Sequence, residues 1–326
     1  GVVMSSSLVF TMPSTEVLAE QASLQAQDDL VLTLPWRALA IVGADAETFL
    51  QGQVTTDIRE VTATQSRLAC LLNLKGRVQY SGRLLAWPEG YLLLLPAEQF
   101  DAARARLAKY GVFSKITLSE VSLRIQGILG QGAHDRLASL GLALPALPAL
   151  EQGSSGLELP IRIRLPGQAR GLLLSMCDEA APLTDSPLQP QAAASLWDTA
   201  SIIAGEWTLA AVESELFQPQ EMDYHALQGV SYQKGCYLGQ EIVARLYFRG
   251  QLKTELSAWH CEAGSQSLAA GMSLLSDDGS RVGEVIRAVA QADGHWLVLA
   301  QSKRDVMATQ LQADALYGLK RLPFER

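Results

Sequence analysis

The chain has 326 residues, 48% hydrophobic and 18% charged, with a net charge of −8. That is enough apolar sequence for two or three compact cores, too little charge for a disordered chain, and no run near the ~18 apolar residues of a membrane helix. An acidic chain is a poor overall match for a polyanion, so nucleic acid would need a local basic patch.

Residues 1–29 are polar and rich in Ser and Gln, and read as loosely ordered. Their first ten residues lack the basic n-region and the apolar run of a signal peptide. "LVLTLPWRALAIVG" (30–43) reads as β-strand interrupted at Pro35, and "DAETFLQGQVTTDI" (45–58) as a short helix capped by Asp45. Residues 66–96 alternate strand-like segments with the turns "LKGR" and "PEG". Residues 97–111 predict a helix, with Phe100, Ala103, Leu107 and Tyr110 on one face and Gly111 as its stop. Strand returns over 114–130. Strands in meander, then a helix, then strand give an α+β layer rather than a doubly wound sheet. Residues 141–190 form another small α+β unit, ending in the loop "APLTDSPLQP". Residues 191–207 predict a helix carrying Trp197. "ESELFQPQEMDYHALQGVS" is loop, and short strands beyond 250 predict a small closed β-unit.

The stretch "QKGCYLGQEIVARLYFRG" (233–250) carries the most chemistry. Gly235 and Gly239 bracket Cys236, just ahead of a short helix with Ile242, Val243, Leu246 and Tyr247 on one face. The helix start and Lys234 both favour thiolate over thiol. Arg245 and Arg249, four apart, can grip a carboxylate or phosphate. The plainer reading is a small thiol buried in a turn, and no general base is adjacent, His225 being eleven residues away. The other cysteines, at 70, 177 and 261, form no CxxC pair with it or each other, and no histidine lies at zinc-finger spacing. This argues against a disulfide framework, and against a cluster or zinc site built within the chain; the expected metal content is none. Scattered thiols fit a reducing, cytoplasmic setting.

"KGCYLGQE" followed by "R…RG" resembles the signature of the folate-binding YgfZ family, relatives of the glycine-cleavage T-protein, a tetrahydrofolate-dependent aminomethyltransferase. "LPWRALAIVGADAETFLQGQVTTDI", "LNLKGRV" and "KYGVFSKITL" resemble it too, in order, so the likeness runs from about Trp36 to Gly250. It implies an α+β, three-domain, aminomethyltransferase-like fold around a central opening. Residues 1–44 with 119–190 would form the first α+β domain, 45–118 with 191–245 the second, and 246–326 a C-terminal β-barrel. It implies folate binding, as tetrahydrofolate or a derivative, with Trp36 and Trp197 as the contacts; only the family match lifts these two above the other four tryptophans. An indole can stack on a flat pterin, and Lys234, Arg245 or Arg249 could hold the anionic tail. The pterin is expected in a central hollow near the Cys236 sulfur.

The resemblance further implies a cytoplasmic role in supporting iron–sulfur enzymes, including tRNA methylthiotransferase-type proteins, and thereby tRNA modification. The acidic chain suits that indirect route better than direct tRNA binding, although "ARARLAKYGVFSK" and "RLYFRGQLK" are basic clusters interleaved with aromatics. In the aminomethyltransferases the hairpin matching "LKGRVQYSGRL" carries a catalytic carboxylate. Here Gln79, Tyr80 and Ser81 stand instead, and Asp57 or Glu221 would have to reach the site to supply a carboxylate. The expectation is therefore an accessory protein with a reactive Cys236. The alternatives are a tetrahydrofolate-dependent one-carbon transferase, or a scaffold in which Cys236 is structural.

Overall fold

The structure, a computed structural model, describes residues 8–248, 250, 252–262, 267–311 and 317–326. Its elements in chain order begin with β1 (Val9–Phe10), α1 (Thr15–Gln27), β2 (Leu30–Thr33), β3 (Trp36–Val42), α2 (Ala46–Gln51), β4 (Arg67–Leu72), β5 (Val78–Trp87), β6 (Gly90–Pro96), α3 (Phe100–Tyr110) and β7 (Thr117–Val121). They continue with β8 (Leu123–Leu129), α4 (Gln131–Ser139), β9 (Ile161–Arg164), β10 (Arg170–Met176), α5 (Pro190–Ala204) and α6 (Gln240–Phe248). The last part holds β11 (Thr254–Cys261), β12 (Leu268–Ala269), β13 (Ser273–Leu275), β14 (Arg281–Ala290), β15 (Trp296–Lys303), β16 (Gln310–Leu311) and β17 (Tyr317–Leu322).

Three sheets organise the molecule. One is four-stranded, in the order β2-β8-β10-β9; a second is five-stranded, β4-β5-β6-β3-β7; the third is a closed barrel, β11-β15-β14-β13-β16-β17. Because β3 pairs with β6 and β7, the chain leaves the first sheet at Leu34–Pro35, earlier than the change expected near residue 44. It returns between β7 and β8, at Ser122.

The alternation of the five-stranded sheet explains the architecture. Leu39 and Ile41 of β3 join Leu84, Leu93 and Leu95 in a core closed by α2 and α3. Ala38 and Ala40 point the other way, with Leu85, Leu92 and Leu94, toward Leu30, Ile125 and Leu172 of the four-stranded sheet. Both faces are therefore buried, and the strands read as unbroken apolar runs rather than alternating ones. A third core joins Cys70, Val78 and Tyr224 to Leu256, Ile286 and Leu299 of the barrel.

The N-terminal segment differs from its expectation. Thr15–Gln27 is a helix whose Ser14 side chain accepts from Val17 N, and β1 pairs with β12 next to the barrel. Polar composition hid it because only Val17, Gln21 and Leu24 turn inward. Asp45 also departs from its expected capping role: its carboxylate accepts from the backbone of Lys115 instead.

Candidate functional site

A cavity of about 960 Å³ lies where the three sheets meet. Its walls come from β2 (Val31 to Thr33), the starts of β3 and α5, and the barrel strands β14 and β15 (Arg287, Leu299). Trp36 and Trp197 both line it. The chain separates them by 161 positions, and the meeting of β3 with α5 brings them together.

Each indole is set by its surroundings. Trp36 follows Pro35 at the first position of β3, half-buried, with its backbone N–H donating to Leu34 O at 2.8 Å. Trp197 is only 6% exposed. Gly127 makes room for it: a Cβ there would come within 2.8 Å of the indole Cζ3. The Arg170 guanidinium lies 5.1 Å from the ring centroid of Trp197, a cation–π distance.

Arg170 is held by a buried ion cluster beneath the cavity floor. Glu206 accepts from Arg170 and from Arg83, both at 2.8 Å, and all three side chains are nearly solvent-free. Arg83 also donates to Gln152, which donates to Leu227 O. Burial pushes the Glu206 carboxyl up, but the two guanidiniums and their hydrogen bonds more than offset that and hold it below the usual carboxylate range. On the barrel side Arg287 donates to both carboxylate oxygens of Glu213 and to Thr208 O, so its charge is already committed.

Asp198 is the unmatched group. It follows Trp197 on α5, lines the cavity, and accepts no hydrogen bond among the described residues. Its side chain is open to the cavity, yet the surrounding walls strip enough water to push its pKa up to about 6, against the pull of Arg287. A carboxylate in this state can accept from a paired N–H edge.

The other sequence-derived residues lie elsewhere. Lys234 is buried, and its ammonium donates to the carbonyls of Gln51, Val54 and Thr56, so its charge is spent on the backbone next to α2. It lines no part of the cavity. Burial lowers its pKa to about 7, with nearby Asp57 opposing the shift. Arg245 is exposed on α6, away from the cavity lining, and Arg249 lies outside the described residues.

Cys236 is exposed and is not a buried turn residue. It also lies outside the cavity lining. The motif explains its position. Lys234 and Tyr237 both point inward, the ammonium 4.6 Å from the tyrosine centroid, and Cys236 between them is pushed to the surface. Gly239, at φ +84°, then passes so close to Asn73 that a Cβ would lie 2.8 Å from its carbonyl oxygen.

Strand β5, in the "LKGRVQYSGRL" hairpin, brings Ser81, Gly82 and Arg83 to a small niche beside Trp36 and Glu206. Asp57 is tied to Arg59 and Gln51, Glu221 accepts from Gln218 N, and neither lines the cavity. Sequence reading missed Asp198, Glu206, Arg170 and Arg287. The signal available was charge embedded in apolar text, as in "LWDTAS" and "AGEW".

Comparison with known proteins gives the family. The "tRNA-modifying protein YgfZ" of Klebsiella pneumoniae (strain 342) is 33% identical over 294 residues, covering 87% of this chain and 86% of that one. The protein of the same name from Yersinia pseudotuberculosis serotype O:1b (strain IP 31758) is 32% identical over 317 residues, covering 92% and 94%. The chain belongs to the YgfZ family. No family model matches it. Among solved structures, the glycine cleavage system aminomethyltransferase T from Bartonella henselae superposes with a TM-score of 0.72 at 19% identity, covering 90% of this YgfZ chain and 83% of its own. The fold is thus the expected aminomethyltransferase-like one, α+β with a closed six-stranded barrel in the C-terminal region. No helix among the described residues is long and apolar enough to cross a membrane.

Proposed function

We propose that this YgfZ-family chain is a folate-binding accessory protein in tRNA modification, and that its ligand is tetrahydrofolate or a derivative. The observation that carries the reading is the convergence of Trp36 and Trp197 on one large cavity that also holds an unpartnered carboxylate. The fit is chemical. A pterin is flat and aromatic, and its aminopyrimidinone edge presents adjacent N–H donors. Trp36 offers a partly open indole face, and Asp198 offers the acceptor.

Arg287, the only lysine or arginine lining the cavity among the described residues, is paired to Glu213; Glu98, Asp185, Asp198 and Glu206 make the lining acidic. That balance suits the donor-rich pterin better than the anionic tail, which in this reading faces solvent. Support of iron–sulfur enzymes of the tRNA methylthiotransferase type rests on the family likeness, with exposed Cys236 as the group that would meet such a partner. The cavity and the thiol act in this reading as separate sites.

Titration with tetrahydrofolate under reducing conditions, followed by tryptophan fluorescence, tests the reading. Quenching is expected in the wild type, and should weaken in Trp36→Ala and in Trp197→Phe. A wild-type signal that does not change with folate refutes it.

Asp198 also favours a second reading, one-carbon transfer. A carboxyl group with a pKa near 6 can move a proton at neutral pH. Turnover of a methylene-folate with a candidate acceptor, lost in Asp198→Asn while folate still binds, would select it.

A further inference from the structure

Outside the cavity lining, the barrel brings together His260, Asp293 and His295, one ligand atom of each lying within 4.8 Å of the others. His260 is on β11. Asp293 sits in the tight connection between β14 and β15, and His295 directly precedes β15. The pairing of β11 with β15 puts His260 opposite Leu297. His295, two residues before Leu297, therefore shares its face of the sheet. The imidazole centroids are 4.6 Å apart with ring planes tilted 33°.

Three features suit a cation. Asp293 accepts from the backbone N–H of His295 at 3.0 Å, a bond that holds its carboxylate in place. The Nδ1 atom of His295 is shielded from solvent and faces Asp293 Oδ1 at 3.3 Å. A ring nitrogen and a carboxylate oxygen turned toward each other at this distance are two donor atoms that one cation can bridge. Glu262 stands 3.9 Å from the other ring nitrogen of His295 and supplies a further carboxylate at the rim. The opposing charge is Lys320, which pairs across from His260 on β17; it is exposed and free to swing away.

We propose that His260, Asp293 and His295 form a site for a late first-row divalent cation such as Zn2+, staple β11 to the β14–β15 turn, and leave a coordination position open. Imidazole nitrogen with carboxylate oxygen is the ligand set such ions prefer, and three protein ligands leave the fourth tetrahedral position to water or an exogenous group. Ligand atoms around tetrahedral Zn2+ stand roughly 3.3 Å apart given metal–nitrogen bonds near 2 Å. The two rings are partly exposed and can close that distance by side-chain rotation. Spacing in the chain concealed the site, because 35 positions separate the two histidines and neither lies in a metal-binding motif.

The test uses the untagged full chain stripped of metal. Co2+ is titrated and followed by its visible absorption, with Zn2+ as competitor. One equivalent should bind, and His260→Gln and His295→Gln should each weaken binding about 10-fold or more. Thermal unfolding of the metal-free variants, unchanged from wild type, shows that they fold, while the Zn2+-induced rise in Tm is lost. Exposed Cys177 and Cys236 are the competing ligands, so a Cys177→Ser/Cys236→Ser variant must retain the site. Absence of saturable binding overturns the proposal. So does binding that survives both histidine substitutions, or that disappears with the two thiols alone.

Discussion

Asp198 shows how a single carboxylate registers its surroundings. Its ordinary pKa of 3.8 is pushed to about 6 by lost hydration, and Arg287 only partly opposes this because Glu213 already holds that guanidinium. A raised folded-state pKa means that the native protein favours the protonated form. The contribution to stability is therefore complete below about pH 4 and is lost as pH rises through about 6. Asp198→Asn is expected to flatten the stability-against-pH curve in that window. In the folate reading the ionised form accepts the pterin donors, so wild-type binding should strengthen as pH rises from 5 to 7. The asparagine variant, whose amide offers one acceptor and no charge, should bind more weakly and without that pH dependence. Fluorescence titrations at pH 5 and 7 measure both effects, and a wild-type affinity indifferent to pH would exclude Asp198 from the contact.

At the scale of elements, the 233–239 loop owes its form to two inward anchors rather than to its cysteine. Lys234→Met would leave the carbonyls of Gln51, Val54 and Thr56 without their donor. The expected cost is about 3 kcal/mol or more in denaturant unfolding, since each buried unsatisfied acceptor costs about 1–3 kcal/mol. Cys236→Ser, at an exposed position, should change stability by less than ~0.5 kcal/mol. Gly127→Ala tests the seat of Trp197 on the four-stranded sheet. Its new methyl meets the Trp197 indole and Leu32 at 3.0 Å or less, and overpacking of this kind costs about 1–3 kcal/mol. It should also weaken folate quenching without touching the ligand. These elements also mark what the sequence makes legible. The strands from 30 to 96 and the α5 helix follow from local apolar pattern and turn residues. So does the closed character of the C-terminal unit. The helix at Thr15–Gln27 escaped because its inward face is only three residues wide. In one dimension a lysine beside a cysteine looks like a charge partner, and its backbone partners are not legible there. The three carbonyls that claim it come from a segment 180 residues away.

The whole molecule turns on how three sheets are locked around one cavity, and Glu206 is the link. Arg83 comes from the five-stranded sheet, Arg170 from the four-stranded one, and Glu206 from the segment after α5, so a single carboxylate ties both sheets to the helix that carries Trp197 and Asp198. The indole and the carboxylate of the proposed folate site thus share one support. Because the cluster is buried, its charges are secure only together. Glu206→Gln strands two guanidiniums, and breaking a buried pair from one side costs about 3–5 kcal/mol. The pH dependence has the opposite sign from that of Asp198. The folded-state pKa of Glu206 lies below its ordinary 4.5, so its stabilisation is present above about pH 4.5 and is lost as acid protonates it below that value. Acid titration of the wild type, followed by circular dichroism, should show a loss of stability on this side that Glu206→Gln lacks, because the variant has already given it up. If the cluster organises the cavity, Glu206→Gln should also lose folate quenching under conditions where it remains folded. A variant that stays fully folded and binds folate as the wild type does would separate the ion cluster from the ligand site and leave Trp36 and Trp197 to be positioned by packing alone.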